Sequence, residues 1–272
     1  MLSWPVNPDT LRLVVFLTVF LLLAVAEQVW PRRALTISKP RRWAVNLTIV
    51  VTNTLLVRLF FPLAPFALAL YAQAHGWGLL SLLTLPAWLE TLVSLLVLDL
   101  LIYTQHRFFH RTPVLWRLHR MHHTDLDLDV SSGTRFHPLE IFLSLVIKLI
   151  AVVLLGASPL SILLFEIILN ATSMFSHANL RIPLAIDQRL RLLLVTPDMH
   201  RVHHSILPLE TDSNFGFNLS CWDRLFGTYR AQPGEGHDRM QIGLKQWRDQ
   251  EALGFWPLLL IPFVRTFKRK TP

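Results

Sequence analysis

Two short runs of this chain repeat one another: His119-Arg-Met-His122-His123 and His200-Arg-Val-His203-His204. A related run, His106-Arg-Phe-Phe-His110, precedes them. On a helix, residues three and four apart are neighbours, so each run can gather its rings on one face. Of the 12 histidines, only His75 and His237 fall outside positions 106–204. His137, in TRFHPLE, and His177, in FSHANL, stand between the runs. A lone histidine is most simply a surface or hydrogen-bonded core residue, but a duplicated H-x-x-H-H needs a further cause. Neutral imidazole is a ligand for zinc, iron, copper and nickel. One zinc takes three or four ligands, so ten histidines suit two ions with four or five each. The all-nitrogen set differs from the Glu-rich soluble di-iron bundles. The metalloprotease run H-E-x-x-H is absent, and a haem would want its histidines within paired spans. The single cysteine, Cys221, excludes an internal disulfide and a thiolate zinc finger, and reads as a small buried apolar residue.

These residues need elements to hold them, and the composition says which kind. Apolar residues make up 52% of the chain and charged residues 16%, with mean hydropathy +0.42. Soluble domains carry about 25% charged residues. The expectation is an all-α integral membrane protein of four to five membrane segments, with a cytoplasmic, histidine-rich helical cap. Residues 11–29 have the length of a span and lack the basic start of a cleavable signal. Residues 44–72, interrupted by Arg58, Pro62 and Pro65, read as one bent or tilted span. AHGWG at 74–78 reads as a turn. Residues 79–103 form a third span, with the first histidine pair just beyond it. Residues 139–175, broken at Gly156, Ser158 and Pro159, read as a helical hairpin entering and leaving on one side. Residues 254–264 are too short to span; with Arg265, Lys268, Arg269 and Lys270 behind them they read as an interfacial anchor. The loop after the first span is rich in Arg and Lys, which places it and the histidine runs in the cytoplasm and the N-terminus outside. Net charge is +8. Because the basic residues flank apolar runs, anionic lipid rather than nucleic acid is the expected partner. The chain divides into N-terminal spans (1–92), a catalytic region (93–230) and a C-terminal tail (231–272).

With these runs and their surroundings — DLLIYTQHRFFH, LWRLHRMHH, TRFHPLE, TPDMHRVHHS and NFGFNLSCWDRLFGTY — the chain resembles the fatty acid hydroxylase/sterol desaturase superfamily over residues 99–229. The first box is H-x3-H, where some relatives have H-x4-H. The resemblance implies His106, His110, His119, His122, His123, His200, His203 and His204 as metal ligands, with His177 a ninth. His137 matches an R-x-H-P-x-E segment of many relatives, as a ligand or a group supporting one. It also implies two iron ions, O2 activation, and hydroxylation or desaturation of a lipid or sterol-like substrate. Zinc could replace iron in isolated protein. The chain carries no flavin, haem or nicotinamide motif, so electrons would come from a separate ferredoxin or cytochrome b5-like carrier.

Metal-bound imidazoles usually donate their second N–H to a carboxylate or carbonyl. Asp99, Asp125, Glu140, Asp198 and Asp223 lie near the runs, with Asp198, two before His200, the leading candidate. Asn214 reads as a turn residue or an outer group, and Trp222 and Asp223 as part of a cover over the site. Lys148, Glu140 and Glu166 fall in the hairpin, where Lys148 either snorkels to an interface or pairs across it. Two rival readings are a zinc-dependent membrane hydrolase and a non-enzymatic metal-binding membrane protein. The first would want a general-base Glu beside the ligands, and neither H-x-x-H-H has one.

Overall fold

The structure, a computed structural model, describes residues 6–61 and 65–264. Among these, five helices are long and apolar enough to cross a membrane: α1 (Pro8–Val29), α2 (Lys39–Phe60, a candidate span whose stretch runs on to Leu82 and takes in the short α3, Pro65–Ala74), α4 (Ala87–Arg111), α6 (Pro138–Leu155) and α7 (Pro159–His177). The cap adds α5 (Pro113–His119), α8 (Leu184–Leu190), α9 (Pro197–His203) and several shorter turns. No β-strand forms among the described residues; there are only isolated bridges. The all-α membrane architecture is as expected. Pro62 and the basic residues 265, 268, 269 and 270 lie outside the described residues.

The helix starts follow from local chemistry. Pro8, Pro138 and Pro159 occupy first-turn positions, where a missing N–H costs nothing. The side chains of Asn7, His137 and Ser158 accept from first-turn amides. Residues 44–72 fall on α2, which ends at Phe60, and on α3, which packs against α6 and α7; the stretch counts as one candidate span. The third span extends past its expected end, so His106 and His110 lie in its last two turns.

The ends of the spans are fastened differently. At the end away from the histidines, Gly156 closes α6 with φ +70°, and Gly78 adopts φ +92°. The two backbones meet so closely that a Cβ on Gly78 would lie 2.1 Å from the Gly156 nitrogen. Glu90 of α4 accepts from Ser158 N–H at 2.9 Å and the Ser161 hydroxyl at 2.9 Å, joining α4 to the hairpin. At the histidine end, Glu27 accepts from the backbone of Val130 and Asn179. Arg42 is 5% exposed and pairs with Asp125 at 2.9 Å and Asp129 at 2.6 Å. Asp127 holds the Thr36 and Ile37 amides, both at 2.8 Å. The alternating aspartates of DLDLDV therefore stitch the α1–α2 loop to the segment carrying the second histidine run.

Between the ends, Leu98, Ile102, Val152, Ile162 and Phe165 form a core shared by α4, α6 and α7. Leu17, Leu21, Leu22 and Val25 of α1 face outward, as lipid contact requires. The segment at 254–264 has two faces. Leu258 and Ile261 are buried against Ile49 and Met121, while Trp256, Leu260 and Phe263 are exposed.

Candidate metal centre

Nine histidines converge in two adjacent groups: His106, His110, His119, His123 and His203 in one, His122, His177, His200 and His204 in the other. Within each group the candidate ligand nitrogens lie within 4.8 Å of one another. All nine are buried. α4 supplies His106 and His110, α7 supplies His177 from its last residue, and α9 supplies His200 and His203, with His204 at its cap. Neither H-x-x-H-H serves a single group. α5 ends at His119 and a tighter turn takes over at His122, so His119 and His123 face one group and His122 the other. In the last run, His203 joins the first group while His200 and His204 join the second.

The hydrogen bonds define which nitrogens point inward. A carbonyl or carboxylate oxygen only accepts, so each ring nitrogen facing one carries the proton. His106 Nδ1 donates to the Phe215 carbonyl at 2.8 Å, and His119 Nδ1 to the Glu140 carboxylate at 2.6 Å. His203 Nδ1 donates to Ser213 at 2.8 Å. His122 Nδ1 donates to Arg135 at 3.1 Å, and His177 Nδ1 to Ser173 at 2.7 Å. The Nε2 atoms of these rings are left as lone pairs. Yet His106 Nε2 and His119 Nε2 lie 3.1 Å apart, as do those of His122 and His177. Lone pairs facing each other repel unless a cation sits between them. Two nitrogens each ~2.1 Å from one ion, at right angles, are about 3.0 Å apart, so the spacing suits coordination. Among the described residues, His123 and His204 find no hydrogen-bond partner for either ring nitrogen, although both are fully buried. A buried polar group left unmade costs ~1–3 kcal/mol, a cost that ligation removes. The residues present therefore fit two metal ions.

Burial, reinforced by neighbouring rings, pushes the His122, His123, His200 and His204 pKa values well below the ordinary histidine range. Burial does the same to His203, against partial opposition from its carbonyl partner. Uncharged rings are what metal ligation needs.

His137 stands outside both groups. Its Nδ1 accepts from Leu139 N–H at 3.2 Å and its Nε2 donates to the Leu259 carbonyl at 3.1 Å. It caps α6 and ties down the C-terminal segment. Asp198 contacts no ring of either group: its carboxylate pairs with Arg32 at 3.2 Å and with Arg201, and lies 3.6 Å from His237. The carboxylates that do reach the centre are Glu140 and Asp212, the latter 3.3 Å from His110 Nδ1. Asp223 acts one layer further out, accepting from the Phe215 and Gly216 amides at 2.7 and 2.8 Å and so fixing the carbonyl that orients His106. Asp99 accepts from Trp222 at 2.8 Å and from Leu219 N–H. Asn214, at φ +52°, is a turn residue bridging Met199 and Arg230. Cys221 is half-buried.

A cavity of about 600 Å³ opens beneath the first group. His106, His119 and Glu140 line its upper end, with Phe109, Phe136 and Phe217; it descends between α1, α2, α4, α6 and α7. Glu140 and Glu166 do not pair with Lys148 across the hairpin. Glu140 serves His119, and Glu166 pairs with Arg12 of α1.

The fatty acid hydroxylase family model matches residues 91–228, about half of the chain. An ornithine lipid hydroxylase of Rhizobium tropici is 31% identical over 189 residues, covering 68% of this chain and 54% of its own length. An alkylglycerol monooxygenase of Danio rerio is 33% identical over 167 residues, covering 60% of this chain and 36% of its own. The fatty acid hydroxylase vlmA of a Lecanicillium species is 28% identical over 201 residues, covering 68% of this chain and 52% of its own. The matched stretch is thus about half of these relatives' length or less. No solved structure matches the chain.

Proposed function

The chain belongs to the fatty acid hydroxylase family, and on that premise we propose that it is a membrane oxygenase that hydroxylates a lipid, with iron held by its two histidine groups. The observation that carries the reading is the pair of adjacent, wholly imidazole groups lying over a cavity that runs down between membrane helices. Hydroxylation is favoured over desaturation because the named relatives are hydroxylases and monooxygenases. Two irons, when bound, would supply O2 activation and oxidation of an unactivated C–H bond.

The protein's own share is positioning. Glu140 and the carbonyls of Phe215, Arg135, Ser173 and Ser213 hold one nitrogen of their rings as N–H and so present the other as a ligand. Phe109, Phe136 and Phe217 line the approach with apolar surface that excludes water and accepts hydrocarbon. Residues 93–230 form the catalytic region, and residues 231–264 close over it through the His137–Leu259 contact. Electrons come from a separate carrier of the ferredoxin or cytochrome b5 kind. The histidine end faces the cytoplasm, because the loop between α1 and α2 and the first turn of α2 carry Arg32, Arg33, Lys39, Arg41 and Arg42.

The test is metal analysis of protein purified from iron-replete cells, alongside lipid mass spectrometry after growth under isotopically labelled O2. Two irons per chain, lost in a His203→Ala/His204→Ala variant, with label entering a lipid only when the wild type is expressed, is the expected result. One tightly held zinc and no label would overturn it in favour of a hydrolase.

A further inference from the structure

The lower part of the cavity carries charge, which a channel for plain hydrocarbon would not need. Resting on the lipid-oxidising reading, we propose that this part binds the anionic group of the substrate. The ligand is then an amphiphile bearing a carboxylate or a phosphate, with its chain directed toward the histidines. Arg12, Arg58 and Lys148 line the cavity with Asp9 and Glu166, while the third acid of the lining, Glu140, stands at the histidine end on His119. Arg12 pairs with Asp9 and Glu166. Arg58 and Lys148 have no hydrogen bond or ion pair among the described residues. Arg58 and Lys148 are therefore cations of the lining that no described residue neutralises, since Arg12 takes up Asp9 and Glu166, and Glu140 is engaged by His119.

Depth sharpens the point. Lys148 lies eight residues along α6 from Glu140, about 12 Å at 1.5 Å per residue, and seven residues, about 10 Å, short of the helix end. It is thus placed near mid-span, where an ionisable side chain is costly and marks a ligand path. Among the apolar side chains of the wall between Lys148 and the histidines stands one polar pair, Gln105 and Ser144. Gln105 donates to Ser144 at 2.7 Å while its own carbonyl oxygen is buried without a partner. An anionic group at Lys148 and Arg58 would be neutralised there, and a chain rising from it would reach the metal groups at a fixed distance. The position oxidised would then be counted from the charged group, about 12 Å away along the cavity.

The experiment is equilibrium binding of radiolabelled lipids to metal-free full-length protein in a neutral detergent. Three probes of equal chain length are compared: a fatty acid, a lysophosphatidate and a fatty alcohol. The wild type should bind at least one anionic probe roughly tenfold tighter than the alcohol. Which anion is preferred tells carboxylate from phosphate. Lys148→Met should abolish the preference while leaving alcohol binding unchanged, and Lys148→Arg should restore it. Should Lys148→Met fail to fold, Arg58→Gln, at an exposed position, is expected to lower the preference about threefold. Equal affinity of the wild type for all three probes would overturn the proposal, as would equal weakening of all three by the variants. Neither metal nor O2 enters this measurement, so absence of iron or turnover would sink the oxygenase reading alone.

Discussion

At the scale of single residues, the centre separates side chains that face the rings from those that merely lie near them in sequence. Among the described residues, Glu140 is the one buried carboxylate that accepts from an imidazole N–H, at 2.6 Å from His119. Removing its charge while keeping its shape should weaken metal binding rather than the fold. Glu140→Gln is expected to lower metal affinity about 10–100-fold, read by chelator competition, with helix content unchanged by circular dichroism. Asp198 is expected to behave in the opposite way. Burial alone would raise its pKa, but Arg201, His237 and Arg32 outweigh this and hold the carboxyl below its ordinary value. Arg201 is 1% exposed and depends on that charge. Asp198→Asn leaves a buried guanidinium uncompensated and should cost about 3–5 kcal/mol, seen as a lower melting temperature in detergent, while metal content per folded protein stays at the wild-type value. The sequence could nominate both acids by proximity to the boxes. It could not rank them, because the distinction depends on which way α6 and α9 turn.

At the scale of elements, spacing was informative and local geometry was not. The H-x-x-H-H repeat told of metal, since no core or surface role requires five-residue runs of imidazole in duplicate. It suggested three rings on one helical face, whereas α5 stops at His119 and the tighter turn after it divides the run between two groups. Backbone carbonyls from Phe215, Arg135, Ser173 and Ser213 orient four of the remaining rings, and a carbonyl has no signature in a sequence. The hairpin was legible from Gly156, Ser158 and Pro159, because glycine at φ +70° and proline in a first turn are the usual punctuation. Its closeness to Gly78 was not. Gly156→Ala would set a Cβ 2.5 Å from the Trp77 carbonyl oxygen and force a left-handed backbone on a residue that resists it. The strained conformation alone costs about 1–2 kcal/mol, and the contact adds to it, so a fall in thermal stability with little change in metal content is expected. Arg42 is the counterpart at the histidine end. Arg42→Ala takes the ion-pair partner from buried Asp129 and leaves buried Asp125 with Arg135 alone, and should destabilise by about 3–5 kcal/mol. Because the same segment carries Arg135, whose carbonyl orients His122, this variant should lose metal as well as stability. The two element variants thus differ in whether a melting-temperature shift comes with a loss of metal.

For the whole molecule, hydropathy and loop charge predicted the order of the spans, and the structure sorts the described segments accordingly. The α1–α2 loop, the second histidine run and the segments after α7 are tied together at one end through Glu27, Arg42 and Arg32. The turn at Gly78 meets the hairpin apex at the other. Membership of one end or the other is therefore fixed by contacts, while the side of the membrane each faces rests on the basic loop. The single cysteine makes this testable. In a Cys221→Ser background, Asp238→Cys probes the histidine end at a position whose side chain is 76% exposed, and His75→Cys probes the exposed turn at the opposite end. A membrane-impermeant maleimide should label Cys at 75 in intact spheroplasts and Cys at 238 only in inverted vesicles. The reverse pattern would put the centre outside the cytoplasm, away from soluble electron carriers, and would remove the proposed donor while leaving the metal geometry untouched. Labelling of both positions from one side would contradict the five-span arrangement itself, because α4, or one helix of the α6–α7 pair without the other, would then have to lie in the membrane without crossing it.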